Sequence, residues 1–518
     1  MEPLVQALLD PAAYDHPVAA VQLLETHISW VFLTGTFAYK VKKPVNLGFV
    51  DFSSAERRLH CCQEEVRLNR RLAPELYLGV VPIHGPPERA SFHGSGAVIE
   101  VAVQMRQFRQ EDLLPEALGR HAVQPALIDR LARELAAFHA GAATAPAGAP
   151  WGAPEQVLQP ALANLDTLAQ CGRLPADHGA LRHWITAELE RLDPLLRHRC
   201  HSGRIRECHG DLHLGNMALH DGRITVFDGL EFSEALRWID PISDLAFLLM
   251  DLRQRGHAEL ALRLLNGWLE AGGDHGALRL LPWYIAYRAL VRAKVTALRL
   301  AQGELPTAEV DRLEGDLVSY WAAARQAMAP PRGALVITHG VSGSGKSHAA
   351  GLLRERGWIQ LRSDVERLRL FGRWGSAGVD PSLGADPYAA SVSEALYGTV
   401  LEDAAAAALA AGLAVVVDAT FLKRQQRQGF RRLAAAAGAG FGILDCPVTT
   451  ALARRRIASR QASGVDPSEA DASVLEQQLA GQEPLDSAER AWVVEPGDPL
   501  LSSLGEGLPV PCSTSHGA

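Results

Sequence analysis

Gly340-Val341-Ser342-Gly343-Ser344-Gly345-Lys346-Ser347 is the stretch that decides the C-terminal fold. It follows the apolar run Ala334-Leu-Val-Ile-Thr338 and precedes a helical pattern over 348–356. G-x-x-x-x-G-K-S between a strand and a helix is a loop whose backbone N–H groups turn inward around phosphates, backed by the positive end of the helix. Lys346 then reaches the β- and γ-phosphates of ATP and counts as a catalytic group, while Ser347 holds Mg²⁺.

Working outward, Trp358-Ile-Gln-Leu361 reads as a short strand followed by Arg362-Ser363-Asp364. Ligands of open α/β sheets sit beyond the carboxyl ends of the strands. Asp364 is therefore the candidate to accept a proton from an attacking hydroxyl, with Arg367 as a phosphate holder. The run 413–418 is a buried strand ending in Asp418, where a magnesium-binding carboxylate is expected. Arg456 and Arg460, one turn apart on a predicted helix, offer a cationic face to ATP. Helices and β-rich runs alternate from 334 to about 494, which predicts an α/β domain with a parallel sheet over 334–495. Residues 496–518 are rich in Gly, Pro and Ser and read as a disordered tail.

Pro330-Pro331-Arg332-Gly333 breaks the helical pattern ahead of this domain, and 331–333 is the expected linker. Before it, 1–330 reads as a strand-rich lobe and then a helical lobe, an α+β arrangement. His27-Ile-Ser-Trp-Val-Phe-Leu33 and Phe37-Ala-Tyr-Lys-Val-Lys42 flank Thr34-Gly35-Thr36 and predict two strands joined by a turn. A helix is expected over 54–72, a strand over 96–105, and helices over 124–139, 155–199 and 241–328.

The helical lobe contains one polar insert, His209-Gly210-Asp211-Leu212-His213-Leu214-Gly215-Asn216, followed by the strand 224–227 and Asp228. An Asp, an Asn five residues on and a further Asp after a short strand form a phosphoryl-transfer constellation. Asp211 would orient the acceptor hydroxyl and take its proton; Asn216 and Asp228 would hold Mg²⁺. An ATP-phosphate lysine is also needed. Lys40 and Lys42 point to one strand face by the two-residue period, and Lys40 is favoured. Its partner is Glu65 or Glu64 on the following helix. Arg288, Arg292, Lys294 and Arg299 add a basic stripe on a later helix.

The chain has 518 residues, with 47% hydrophobic and 21% charged, which excludes wholesale disorder and fibrous repeats. The net charge of −8 argues against a general nucleic-acid coat. The seven cysteines are irregularly spaced and fit a reducing, cytoplasmic compartment. No apolar run is long enough to predict a membrane span. The oligomeric state is not readable from the sequence.

Residues 20–330 resemble the aminoglycoside phosphotransferase and choline kinase family of the protein-kinase-like, bilobal fold. The resemblance rests on H-G-D-x-x-x-x-N, the Asp after the next strand, 131–139, and Asp240-Pro-Ile-Ser-Asp244-Leu-Ala. It implies that Asp244 braces the catalytic loop and that adenine is held near 105–108. Residues 334–494 resemble the P-loop kinases that include zeta toxins and polynucleotide 5′-kinases, often described as AAA-type ATPases. Phe421 stands where that group often has Asn, and no G-x-G-x-x-G precedes Lys40. As a whole the chain resembles the bifunctional aminoglycoside phosphotransferase/ATP-binding proteins. The resemblance implies ATP- and Mg²⁺-dependent transfer to a hydroxyl acceptor, a small molecule or a nucleic acid, at two nucleotide sites. The alternatives are a regulatory ATPase with one sensor domain, or a polynucleotide 5′-hydroxyl kinase in the C-terminal half.

Overall fold

The computed structural model describes residues 2–46, 48, 50–94, 96–303, 305–375, 386–463 and 467–498. Residues 499–518, most of the expected tail, lie outside them. The chain forms two compact units: Met1–Leu127, Gly141–Val157 and Leu195–Leu248 make the first, and Ile128–Ala140, Leu158–Pro194 and Leu249–Ala518 the second.

The first unit is built on an antiparallel sheet of five strands, in the order β1-β2-β3-β5-β4. These are β1 (Gln22–Glu25), β2 (Ser29–Leu33), β3 (Phe37–Lys42), β4 (Tyr77–His84) and β5 (Val98–Arg106). The turn between β2 and β3 uses Gly35 at φ 92, which costs a residue without Cβ nothing. β3 is central and pairs Lys40 with Val31 on one side and Val103 on the other. Its alternation turns Lys40 and Lys42 to one face. The helix Ala55–Asn69 covers that face; Ser54 caps it by accepting from the Arg57 N–H. Cys62 and Val66 of this helix pack with Leu76, Tyr77 and Val103. The edge strand β4 was not expected, because Gly79 and Pro82 break its pattern; an edge tolerates both.

The polar loop is preceded by β6 (Arg206–Glu207) and followed by β7 (Met217–His220), β8 (Arg223–Val226) and β9 (Trp238–Ile239). β7 and β8 form a hairpin whose turn residues Asp221 and Gly222 both have positive φ, 49 and 70, as a tight hairpin turn needs. The hairpin returns the chain so that Asp228 follows directly on β8.

The second unit contains a parallel sheet of β10 (Ala334–His339), β11 (Ile359–Arg362), β12 (Val415–Asp418) and β13 (Gly440–Asp445), in the order β11-β12-β10-β13. β10 and β12 are buried throughout, the expected composition of parallel strands covered on both faces. The register pairs Arg362 with Asp418 and Ile337 with Val417, so the strands end at one level. The Gly340 loop, Ser363-Asp364 and Asp418 therefore emerge together at the carboxyl edge. The unit also holds the helices Ala258–Gly272, Leu281–Ala301 and Thr307–Met328. Among the described residues no helix is long and apolar enough to cross a membrane.

The segment that follows β12 is anchored by a buried ion pair. Arg427, 1% exposed, donates Nε and Nη2 to the two carboxylate oxygens of Glu489 at 2.8 Å each. Its Nη1 donates to the Phe421 carbonyl at 3.0 Å. Removing one partner of such a pair strands a charge. Glu489→Ala is expected to cost about 3–5 kcal/mol, read as a fall in the denaturation midpoint of the C-terminal unit. A midpoint within error of the parent would contradict this.

Candidate active sites

At the first site one carboxylate organises two lysines. Glu65 is fully buried. Its Oε1 accepts from Lys40 Nζ at 2.8 Å and its Oε2 from Lys42 Nζ at 2.7 Å. Lys40 Nζ goes on to Asp228 Oδ1 at 2.5 Å, whereas Lys42 Nζ donates to Glu231. The two lysines thus divide the work. Lys42 is wholly enclosed, over the Phe52 ring at 4.9 Å. Lys40 faces Asp228, whose side chain is 43% exposed. Glu64 pairs with Arg67 on the outer surface and does not reach either lysine.

These charges shift one another. Burial opposes the Lys40 ammonium, but the carboxylates of Asp228, Glu65 and Glu231 outweigh it and hold its pKa well above the usual lysine range. Burial would raise Glu65; the two lysines overcome this and bring it down to about 2. Glu231 is pushed up, by its burial first and, despite Lys42, by Glu65 as well. Two lysines facing two buried acids leave Asp228 as the outward charge.

The loop at 209–216 is held from behind. Asp244, fully buried, accepts the His209 N–H at 2.9 Å and the Gly210 N–H at 3.0 Å. Gly210 sits at φ 87, and a Cβ there would lie 2.8 Å from the Leu236 carbonyl. His209 Nε2 donates to the Phe227 carbonyl at 3.0 Å and its Nδ1 accepts the Asp211 N–H at 3.3 Å. Burial lowers its pKa, so the ring is neutral in that tautomer. Asn216 Nδ2 donates to Asp211 Oδ2 and to the Asp211 carbonyl, both at 3.0 Å. His213 Nδ1 accepts the Gly215 N–H at 3.0 Å, which turns Nε2 to Asp211 Oδ2 at 3.4 Å. Asp228 occupies the left-handed region at φ 62, a strained setting for a residue other than glycine. Its N–H donates to the Tyr77 hydroxyl at 3.0 Å and the next N–H, of Gly229, to Asn69 Oδ1 at 2.7 Å. The structure thus draws Lys40, Glu65, Asp228 and, on the braced loop, Asp211 and Asn216 into the first unit.

Glu231, Tyr77 and Asn69 are the residues that motif spacing missed. Glu231 is 7% exposed and bound to Lys42. The basic stripe is occupied locally: Arg299 pairs with Glu309 at 3.1 Å and Arg292 reaches the Tyr320 hydroxyl at 3.4 Å.

The second site is a cavity of ≈ 630 Å³ at the carboxyl edge of the parallel sheet. Ser342, Gly343, Gly345, Lys346 and Ser347 line it on one side, and Asp364, Arg367, Asp418, Arg456 and Arg460 around the rest. Gly340, Gly343 and Gly345 have φ of 140, 78 and 103, and a Cβ on Gly340 or Gly343 would strike a carbonyl at 2.7 Å. Only glycine lets the loop fold so tightly. Val341 is buried beneath it, and Ser344 Oγ is buried without a partner. Lys346 Nζ donates to the Val341 carbonyl at 2.8 Å. Burial lowers the Lys346 pKa despite Asp418 and Asp364, and raises that of Asp418 despite Lys346, a hydrogen bond from Ser347, and Arg362. Asp418 also accepts from Gln360 Nε2 at 3.2 Å.

Arg456 and Arg460 lie on the helix Thr450–Ser463. Arg456 Nη1 donates to the Gly343 and Ser344 carbonyls at 3.3 and 3.1 Å, and Arg460 Nη2 to the Ala470 carbonyl at 2.7 Å. Arg367, 8% exposed, lies over the Tyr388 ring at 4.8 Å and donates to the Pro387 carbonyl at 2.7 Å. Phe421 turns away from the cavity: it is fully buried, edge-on to Tyr397 and Phe430. Gln478, which the sequence did not single out, accepts the Ser342 N–H at 2.7 Å. No spacing rule links a helix after 470 to the loop at 342.

Comparison with known proteins gives two family matches along the chain. The model of the phosphotransferase enzyme family matches residues 49–281, and that of an AAA domain matches residues 335–485. An uncharacterized protein of Mycobacterium tuberculosis is 30% identical over 498 residues, covering 95% of this chain and 96% of its own length. An uncharacterized protein of Mycobacterium bovis matches to the same extent. Among solved structures, a choline/ethanolamine kinase family protein from Mesorhizobium loti is 16% identical with a TM-score of 0.39, covering 63% of this chain and 96% of that one. Amicoumacin kinase hAmiN, in complex with AMP-PNP, Ca²⁺ and Ami, is 15% identical with a TM-score of 0.38, covering 62% and 91%. The chain belongs to the same family as these relatives, and along it a phosphotransferase-family match precedes an AAA-domain match.

Proposed function

We propose that this protein is an ATP- and Mg²⁺-dependent phosphotransferase with two nucleotide sites, each moving the γ-phosphate to a hydroxyl. The observation that carries the reading is the Lys40 ammonium joined to both Glu65 and Asp228. A lysine held by a buried glutamate is aimed at phosphate, and an aspartate beside it sits where metal and phosphate meet.

At the first site Lys40 binds the ATP phosphates. Asp211, its carboxylate steadied by Asn216 and His213, accepts the proton as the acceptor oxygen bonds to Pγ and the bond to ADP breaks. At the second site Asp364 takes that proton, and Lys346, Arg456 and Arg460 face the charge that spreads over the transferring group. The donor sets, Asn216 with Asp228 and Ser347 with Asp418, are all oxygen, which suits Mg²⁺. Bound there, Mg²⁺ offsets phosphate charge at the start and in the transition state. The cations around the second cavity outnumber its carboxylates, which favours an anionic or neutral acceptor over a polycationic one. The irregular spacing of the seven cysteines supports a cytoplasmic setting.

The test is Mg·ATP turnover by wild type, Asp211→Asn, Lys346→Ala and the double variant, with and without a panel of hydroxyl acceptors. Each single variant is expected to remove a separate component, Asp211→Asn by about 10²–10⁴-fold. Acceptor-independent hydrolysis untouched by Asp211→Asn and abolished by Lys346→Ala would favour a regulatory ATPase instead. Transfer to a 5′-hydroxyl oligonucleotide, lost in Asp364→Asn, would assign the acceptor as nucleic acid.

Lys40 and Lys42 should separate cleanly. Lys40→Ala is expected to depress first-site turnover and, because Glu65 keeps Lys42, to lower the thermal midpoint less than Lys42→Ala does. Lys42→Ala leaves Glu231 buried without its lysine and is expected to destabilise by about 3–5 kcal/mol, measured by denaturant unfolding. The reverse pattern would exchange the two roles.

A further inference from the structure

The helix Ser363–Leu370 carries Asp364 in its first turn and faces two ways. Ser363, Asp364 and Arg367 line the P-loop cavity. Glu366 and Arg369 line another cavity, of ≈ 330 Å³, together with His275. A helix of 8 residues does not hold itself together in water. This one also buries the charged side chains of Glu366, Arg367 and Arg369. Its place is therefore set by the groups that meet those charges.

The groups that meet Glu366 and Arg369 stand at and just beyond the end of the helix Ala258–Gly272, in the same unit. That helix is docked along β11: Asn266 Nδ2 donates to the Trp358 carbonyl at 3.0 Å and Oδ1 accepts the Gln360 N–H at 2.9 Å. Arg369 Nη2 donates to the Glu270 carbonyl at 2.7 Å, at the negative end of the helix. Gly273 and Gly375 leave room for it, since a Cβ on either would lie 2.4 or 2.6 Å from the guanidinium. Arg369 Nε donates to Glu366 Oε2 at 3.0 Å, and His275 Nε2 donates to Glu366 Oε1 at 3.1 Å. Burial would raise the Glu366 pKa; His275 and Arg369 outweigh it and hold the carboxyl below its usual range. His275 Nδ1 is buried with no hydrogen-bond partner, so among the described residues Glu366 is the ring's one hydrogen-bonded link.

Glu366 is two residues from Asp364 on a short helix, so what holds one carboxylate aims the other. We propose that His275 is a positioning residue of the P-loop site: through Glu366 it seats the helix that presents Asp364 to the cavity. His275 falls in the phosphotransferase-family match and Glu366 in the AAA-domain match. The second site's acid is thus aimed from outside that site's own family match. The inference rests on the reading of Asp364 as the group that takes the acceptor's proton.

The experiment uses the full chain. It follows the Lys346-dependent part of ATP hydrolysis, ATP binding without Mg²⁺, and amide hydrogen exchange over 363–370. His275→Ala is expected to cut the Lys346-dependent rate about 10-fold and to speed exchange over 363–370 about 10-fold. The ATP binding that Lys346→Ala removes should stay at the parent value. In the Asp364→Asn background, His275→Ala should cost no further rate. His275→Gln keeps an N–H donor and is expected to fall between parent and His275→Ala; it carries the comparison if His275→Ala does not fold. An unchanged rate or unchanged exchange overturns the proposal. So does a loss that persists in the Asp364→Asn background, or a fall of rate and ATP binding together, which a purely structural role would give. If Asp364→Asn itself leaves Lys346-dependent hydrolysis unaltered, or there is none to alter, the reading of Asp364 fails and the proposal with it.

Discussion

Everything in the first site depends on the buried carboxylate of Glu65. A lone ionised acid at full burial would neutralise itself before it stabilised anything. Glu65 stays charged because each of its oxygens holds a lysine, and each lysine holds a further acid. The helix Ala55–Asn69 is thereby fixed over β3, and Lys40 is fixed toward Asp228. Fold and chemistry share one interaction here. The network that closes the unit's interior also points an ammonium at Asp228.

The second site reaches a similar end with different parts. Its sheet is parallel, so its chemistry collects where the strands end, and one register line brings Arg362 and Asp418 level. The glycines of the loop let backbone approach backbone more closely than any side chain permits. Helix Thr450–Ser463 then lays Arg456 against the loop, tying a cation to its Gly343 and Ser344 carbonyls.

Local spacing made much of this legible. Gly340 to Ser347 and His209 to Asn216 are runs in which one residue's place implies the next, because a tight turn leaves few arrangements. The hairpin at 29–42 and the helix at 55–69 followed from alternation and capping. β4 did not, because Gly79 and Pro82 are edge-strand residues that read as loop. Glu231, Asn69 and Gln478 were also beyond reach. Each acts on a partner more than a hundred residues away, and such pairings are decided by how elements pack. The basic stripe is also settled by packing: Arg292 and Arg299 share a helical face, and that face meets Tyr320 and Glu309 of the next long helix.

The edge of the parallel sheet shows how such long-range contacts become functional. A four-stranded sheet leaves β11 with open backbone groups, and a fifth strand would have hidden them without reaching any further. Asn266 and Glu270 use side chains instead. An amide satisfies the backbone at two points, and a carboxylate one turn later reaches the residue that abuts Asp418. The same helix also holds Arg369 through its backbone carbonyls, so the strand carrying Gln360 and the helix carrying Asp364 are steadied by one element.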